Sequence, residues 1–327
     1  MGKFFQELAK DSYVLSVSLL KMLIPVIVLG KIFIELGGVK YIAILLGPPM
    51  EALGLPPEFS LVWATTMLTN LTGGILILVE ILRTQSVTVE QITILSVLML
   101  VAHSLPVEAR VAQKSGLRLG VTLVQRIGGG FVLAWIMHKI YSSYGLLQEP
   151  FELGWQPEAN DDTLVGWAVN QVVVLATLIA ALIVLLFLLR VLRAIGFERI
   201  MIFLLSPFLW LLGIRKEAAS LAIVGITLGL SYGGALLMSE TEKGHISKRD
   251  LFASISLLNL CHSMIDDTIL MLIVGADESA VIWGRLFFSV IVTAILVRAV
   301  RVLPELLWDR YLVRPKNYYD PNKVAKS

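Results

Sequence analysis

The sequence predicts an all-α polytopic membrane protein with about ten transmembrane helices, arranged as two inverted five-helix repeats with broken helices. Three observations predict it. The 327 residues are 57% hydrophobic and 16% charged, with a mean hydropathy of +0.81. A water-soluble domain carries roughly 45–50% apolar and about 25% charged residues. The apolar residues gather in runs long enough to cross a hydrocarbon core about 30 Å thick, and the second half of the chain repeats the first at an offset of about 159 residues.

Taken in order, the first residues, MGKFFQELAKDSY, read as an amphipathic segment rather than a signal peptide, with no small-residue cleavage site after them. Long apolar runs follow at 12–35, 59–82, 88–113, 117–140, 164–190, 217–240, 247–274 and 279–302. Two shorter runs, 39–54 and 197–213, contain Pro48, Pro49 and Pro207 and read as short spans, re-entrant hairpins or surface helices. The chain divides into a first repeat (1–140), an acidic external linker (141–163), a second repeat (164–305) and a cytoplasmic tail (306–327).

Loop charge orients the spans. The segment from Ser142 to Asp162 carries Glu149, Glu152, Glu158, Asp161 and Asp162 without Lys or Arg, and reads as external. Arg110, Lys114 and Arg118 mark a cytoplasmic loop, as do Arg190 with Arg193 and Arg199, Lys243 with Lys248 and Arg249, and Arg310 with Arg314 and Lys316. All these faces agree only if both short runs cross, which gives about ten spans with both termini inside; otherwise there are about eight. The expected location is a bacterial inner membrane. The formal net charge of +2 points away from nucleic acid, and the single cysteine, Cys261, excludes an intramolecular disulfide.

The repeat is legible in matched strings. LLGPPMEALGL (45–55) matches LLSPFLWLLGI (204–214), and VAHSLPVEAR (101–110) matches LCHSMIDDTI (260–269). His103, Ser104, Glu108, Gly116 and Arg126 fall on His262, Ser263, Asp267, Gly275 and Arg285. Thr88 and the Ser of ISKRDL both stand where they cap the next helix.

Ionisable residues inside spans cost at least a few kcal/mol each, so they need a partner or a wet cavity. His103 lies about 15 residues into its span, roughly 22 Å of helix, with Pro106 and Glu108 just beyond. His262 occupies the equivalent depth, with Asp266 on its helical face, Asp267 adjacent and Asn259 one turn earlier. In inverted halves the two clusters meet from opposite leaflets. Two readings stand: a substrate or coupling site formed by His103, Glu108, Arg126, Asn259, His262, Asp266, Asp267 and Arg285, or a structural network in which Arg126 and Arg285 neutralise the acids. A second feature is a pair of glycine breaks, Thr69, Asn70, Thr72, Gly73 and Gly74 in one half and Gly229, Ser231, Gly233 and Gly234 in the other. These read either as unwound helix lining a site or as close helix packing. Cys261 reads as an apolar thiol, and His138 and His245 as solvated loop residues.

The string HSLPVEARVAQKSG, with the TNLTGG and SYGGALLMSE breaks, resembles the nucleoside recognition or Gate-domain membrane proteins, a family that includes the spore maturation proteins A and B. The resemblance covers one Gate-like unit per half, about 15–140 and 165–302, and implies a bacterial inner-membrane protein of transport type. The second unit departs from the pattern, with Ile265 in place of Pro106 and an Asp pair in place of Glu108.

The expected function is secondary transport of a small solute, an anionic lipid headgroup or an ion through a midplane polar site, possible proton coupling included. The alternatives are an intramembrane metal-binding enzyme, for which two His and three carboxylates supply ligands, and a non-transporting scaffold subunit. Transport implies no enzyme activity and no cofactor. The implied partners are the bilayer and the cargo, with homo- or hetero-oligomers open and no nucleic acid.

Overall fold

A computed structural model describes residues 39–152, 163–194, 214–230 and 246–314, together with scattered positions in 13–36, 203–212 and 237–241. The described residues form helices and turns, with two isolated β-bridges and no strand. The helices of the first half are α1 (Val39–Ala52), α2 (Phe59–Leu68), α3 (Leu71–Leu82), α4 (Val89–Val101), α5 (Leu105–Ser115) and α6 (Leu119–Tyr144). The second half contributes α7 (Leu164–Ala194), α8 (Lys216–Leu228), α9 (Lys248–Leu260), α10 (Asp266–Val274) and α11 (Ser279–Val300). By length and apolarity α6 and α11 each suffice to cross a membrane, and α4 with α5, bent by 42° at their break, suffices as a third if the pair is one span.

Sequence sets these boundaries. α4 starts at a capping box: Thr88 Oγ1 accepts from the Gln91 amide and Gln91 Oε1 accepts from the Thr88 amide, filling donors that a helix start leaves open. α9 starts at a single side-chain cap, with the Asp250 amide donating to Ser247 Oγ. α4 stops before Ser104, which sits in the left-handed region at φ 48°, and α5 stops at Gly116, φ 126°. The second half repeats both stops at Ser263, φ 49°, and Gly275, φ 105°. The spacing matches that between His103 and His262, 159 residues apart. These backbone stops thus recur at the same offset as the matched residue types.

The two breaks of each half lock together. The 59–82 run is two helices: α2 ends at Thr69, and Asn70 caps α3 by accepting from the Gly73 amide at 2.8 Å. Ser104, at the α4–α5 break, donates its amide to Thr66 O and its hydroxyl to Thr69 O. In the second half the Met264 amide donates to Ile226 O near the end of α8. Freed carbonyls of one break are thereby satisfied by donors of the other, as a hydrocarbon surrounding demands.

The glycines belong to helices more than to the breaks. Gly73 and Gly74 lie inside α3, where an added methyl at Gly74 would overlap the Thr66 hydroxyl and press on Met99. Gly225 lets α8 lie against Leu258 of α9. Gly229 ends α8 at φ +100°, a conformation that favours glycine. Ser231, Gly233, Gly234 and His245 fall outside the described residues.

The elements meet at two ends, which α6 joins across about 39 Å of helix. At its Tyr144 end, the start of α4 pairs with the following loop: the Val89 amide donates to Glu149 O, and Thr88 bridges to Pro150. The end of α10 lies there too, with Gly275 against Phe151 and the Asp277 amide on Thr93 Oγ1. At its Arg118 end, the end of α5 and the start of α9 gather on the C-terminal segment. The Arg314 amide donates to Gly116 O, and Lys248 Nζ lies 2.7 Å from Asp309. Helix packing exchanges in the same manner: α4 touches the Ser279–Gly284 π turn that opens α11, and α9 touches the Val124–Gly128 π turn within α6.

Candidate functional site

The polar residues meet in the interior, where the breaks of the two halves face each other. His103 follows the end of α4 and His262 the end of α9; both are buried, and their Nε2 atoms lie 3.3 Å apart. The rings are tilted at 45° with centroids 5.0 Å apart. His103 Nδ1 is 3.1 Å from the carbonyls of Met99 and Leu100, and His262 Nδ1 is 2.7 Å from that of Leu258. A carbonyl only accepts, so each Nδ1 carries a hydrogen, and each Nε2 is the atom presented to the site.

Carboxylates surround the two Nε2 atoms. Glu108, from the first turn of α5, places Oε2 3.2 Å from His262 Nε2 and Oε1 3.5 Å from His103 Nε2. Asp267, from the first turn of α10, places Oδ2 3.5 Å from His103 Nε2. Arg126, fully buried in the α6 π turn, pairs through Nη1 with Glu108 Oε2. Its Nε donates to Val101 O at 2.8 Å and its Nη2 to His103 O at 3.0 Å, so one guanidinium neutralises the acid and fills carbonyls left open at the α4 break. The predicted residues His103, Glu108, Arg126, His262 and Asp267 therefore form one contact group drawn from both halves.

The remaining candidates flank it. Asp266 opens α10 beside Asp267, half-buried. Asn259, on α9, donates to Gln125 Oε1 at 2.7 Å, and Gln125 donates to Ser256 Oγ at 2.8 Å. Arg285 is fully buried like its counterpart but is partnered otherwise: Nη2 donates to Thr268 Oγ1 and approaches Met264 Sδ, both at 2.8 Å. The expected neutralisation of Asp267 by Arg285 is thus replaced by a contact between Asp267 and His103. Thr69 and Asn70 line the α2–α3 break, and Thr69 O accepts from the Ser104 hydroxyl; Thr72, Gly73 and Gly74 sit in the first turn of α3; Gly229 lies against Ser263.

Some contributors were not singled out from the sequence. Gln125, Ser256 and Thr268 are polar positions within apolar runs, and only their nearness in sequence to Arg126, Asn259 and Asp267 marked them. His138 corrects an expectation. It is half-buried rather than solvated, its Nδ1 2.8 Å from Glu90 Oε1 and its ring against Gly54, because this part of α6 packs on α4.

Around this polar interior the outer surface is apolar. Val124, Val132, Trp135 and Tyr144 of α6 and Trp283, Phe287, Ile291 and Ile295 of α11 are exposed, while both arginines lie inside. Water as solvent would reverse that arrangement; hydrocarbon favours it. The chain is a membrane protein.

Comparison agrees. The chain is 28% identical over 291 residues to "Uncharacterized membrane protein YvoD" of Bacillus subtilis (strain 168), covering 86% of this chain and 88% of that protein. No family model matches the chain, and no solved structure matches it.

Proposed function

We propose that the chain is a secondary transporter, not an enzyme, in which two inverted repeats alternate access to a binding site at mid-depth. One observation carries this: equivalent residues of the two halves, His103 and His262, touch each other inside the protein. Each follows a capped helix of 13 residues, about 20 Å long, and the two helices start from opposite ends of α6. Opposed starts and matched lengths support an inverted duplication whose pseudo-two-fold axis passes through the site. The bacterial inner membrane and cytoplasmic termini complete the proposal. Their support is the basic residues Arg110, Lys114, Arg118, Lys248, Arg249 and Arg310 near one end, against Glu149 and Glu152 at the other. The spans are fewer than the ten expected: Gly74 against Thr66 means that α2 and α3 fold back at their break, and the Arg215–Asp250 pair starts α8 and α9 at the same end.

The breaks supply the moving parts. Short helices joined through Ser104–Thr69 and Met264–Ile226 hydrogen bonds can tilt as units without exposing backbone to lipid. The resemblance to Gate-domain proteins supports transport over a purely structural role. The cargo class is a small solute, an anionic lipid headgroup or an ion, and no nucleic acid is involved. The test is uptake into proteoliposomes of a panel of radiolabelled nucleosides, a polyprenyl phosphate and divalent metals. The expected result is accumulation of one panel member, falling at least about tenfold in both Glu108→Gln and Asp267→Asn, a loss on the order of 1.4 kcal/mol. Uptake unaltered by both substitutions contradicts the site.

A further inference from the structure

We infer that the His103–His262 cluster is a binding site for one divalent transition-metal ion of the Zn2+ or Fe2+ class, held between the two halves. The observation is the arrangement of the two imidazoles. Both Nδ1 atoms are committed as donors to carbonyls, so both Nε2 lone pairs point into the same space, 3.3 Å apart. Two neutral imidazoles so disposed repel each other. A cation between them converts the repulsion into two bonds.

The distances suit a metal. With metal–nitrogen bonds of about 2.0–2.1 Å, two nitrogens 3.3 Å apart subtend about 107° at the ion, close to a tetrahedral angle. Asp267 supplies the third ligand: its carboxylate oxygen and the two imidazole nitrogens all lie within 4.8 Å of one another. Glu108, 3.2 Å from His262 Nε2, stands at the edge of the group, with Arg126 holding its other charge. The outer partners are those of a metal site. Each His donates its second nitrogen to a main-chain carbonyl, which fixes the ring and raises its basicity. Two imidazoles and a carboxylate select a transition metal over Mg2+ or Ca2+, which take oxygen ligands.

A bound ion would tie α4 to α9 where the repeats meet, and it rests on the same assignment of the cluster as the ligand site that the transport proposal makes. The two are tested apart, because binding is read at equilibrium without flux. The full chain, purified in detergent and stripped with a chelator, is titrated with Zn2+ alone, then with Co2+ for its visible absorption. The expected result is one Zn2+ per chain by elemental analysis and a tetrahedral-type Co2+ spectrum. A Zn2+-dependent rise in unfolding temperature that Mg2+ does not reproduce is also expected. His262→Gln and Asp267→Asn should each weaken Zn2+ at least about tenfold, and His138→Gln, at the distant Glu90 pair, should leave it unchanged. Should His262→Gln fail to fold, Asp267→Asn decides by the same titration. Wild-type protein that binds no stoichiometric Zn2+, meaning that only a proton bridges the imidazoles, overturns the proposal. So does binding that survives Asp267→Asn or falls equally in His138→Gln.

Discussion

Among the described residues Arg126 and Arg285 are the two largest fully buried side chains, Arg126 lying within a π turn and Arg285 directly following one. Their environments differ. Arg126 has an acid and two carbonyls, whereas the hydrogen-bond acceptors on Arg285 among the described residues are a hydroxyl and a thioether, with Nε and Nη1 unsatisfied. Removing one member of a buried pair strands the other, a cost of about 3–5 kcal/mol. Glu108→Gln or Arg126→Met alone should therefore lower the unfolding temperature in detergent strongly. The double variant should lose less than the two single losses added. Additive losses would mean that the pair is uncoupled. The cluster's members were legible because His103, Glu108 and Arg126 recur at one offset as His262, Asp267 and Arg285. Their exact pairing was not, because a repeat in sequence does not oblige equal contacts: Asp267 turns to the other half's histidine, and Thr268 takes the arginine.

Helix breaks do the positioning at the next scale. Ser104 holds a left-handed conformation, satisfies the α2–α3 break through its amide and hydroxyl, and immediately follows His103. A β-branched residue cannot adopt φ 48° without strain, and such strain costs about 1–3 kcal/mol. Ser104→Val should lower the unfolding temperature and the yield of folded protein, whereas Ser104→Gly, free to take that φ, should retain most of both. Equal behaviour of the two variants would remove the strain argument. Apolar length and prolines foretold where helices run, but 59–82 and 88–113 each read as one span. Composition does not fix that the two-residue interruption at Thr69 and Asn70 ends one helix and caps the next. The glycine pairs drew attention to the right place, yet Gly73 and Gly74 serve contact with Thr66 and Met99 inside α3.

For the whole molecule, the governing feature is that α4 and α9, equal in length and spaced by the repeat, start from opposite ends of α6. Two polar helix ends then meet in the interior, where Asp267 of the second half lies beside His103 of the first, and Glu108 of the first beside His262 of the second. The matched strings made this equal spacing readable, and loop charge made an opposed orientation an expectation. How the C-terminal segment seals one end, through Arg314 on Gly116 and Lys248 on Asp309, was beyond reach because those contacts join residues far apart in the chain. The most direct test labels single cysteines with a membrane-impermeant reagent in a Cys261→Ala background. Ser86→Cys, just before α4, and Arg249→Cys, at the start of α9, are both accessible positions. The inverted arrangement predicts that Ser86→Cys reacts from outside intact cells and Arg249→Cys only after the membrane is opened; labelling of both from the same side would contradict it.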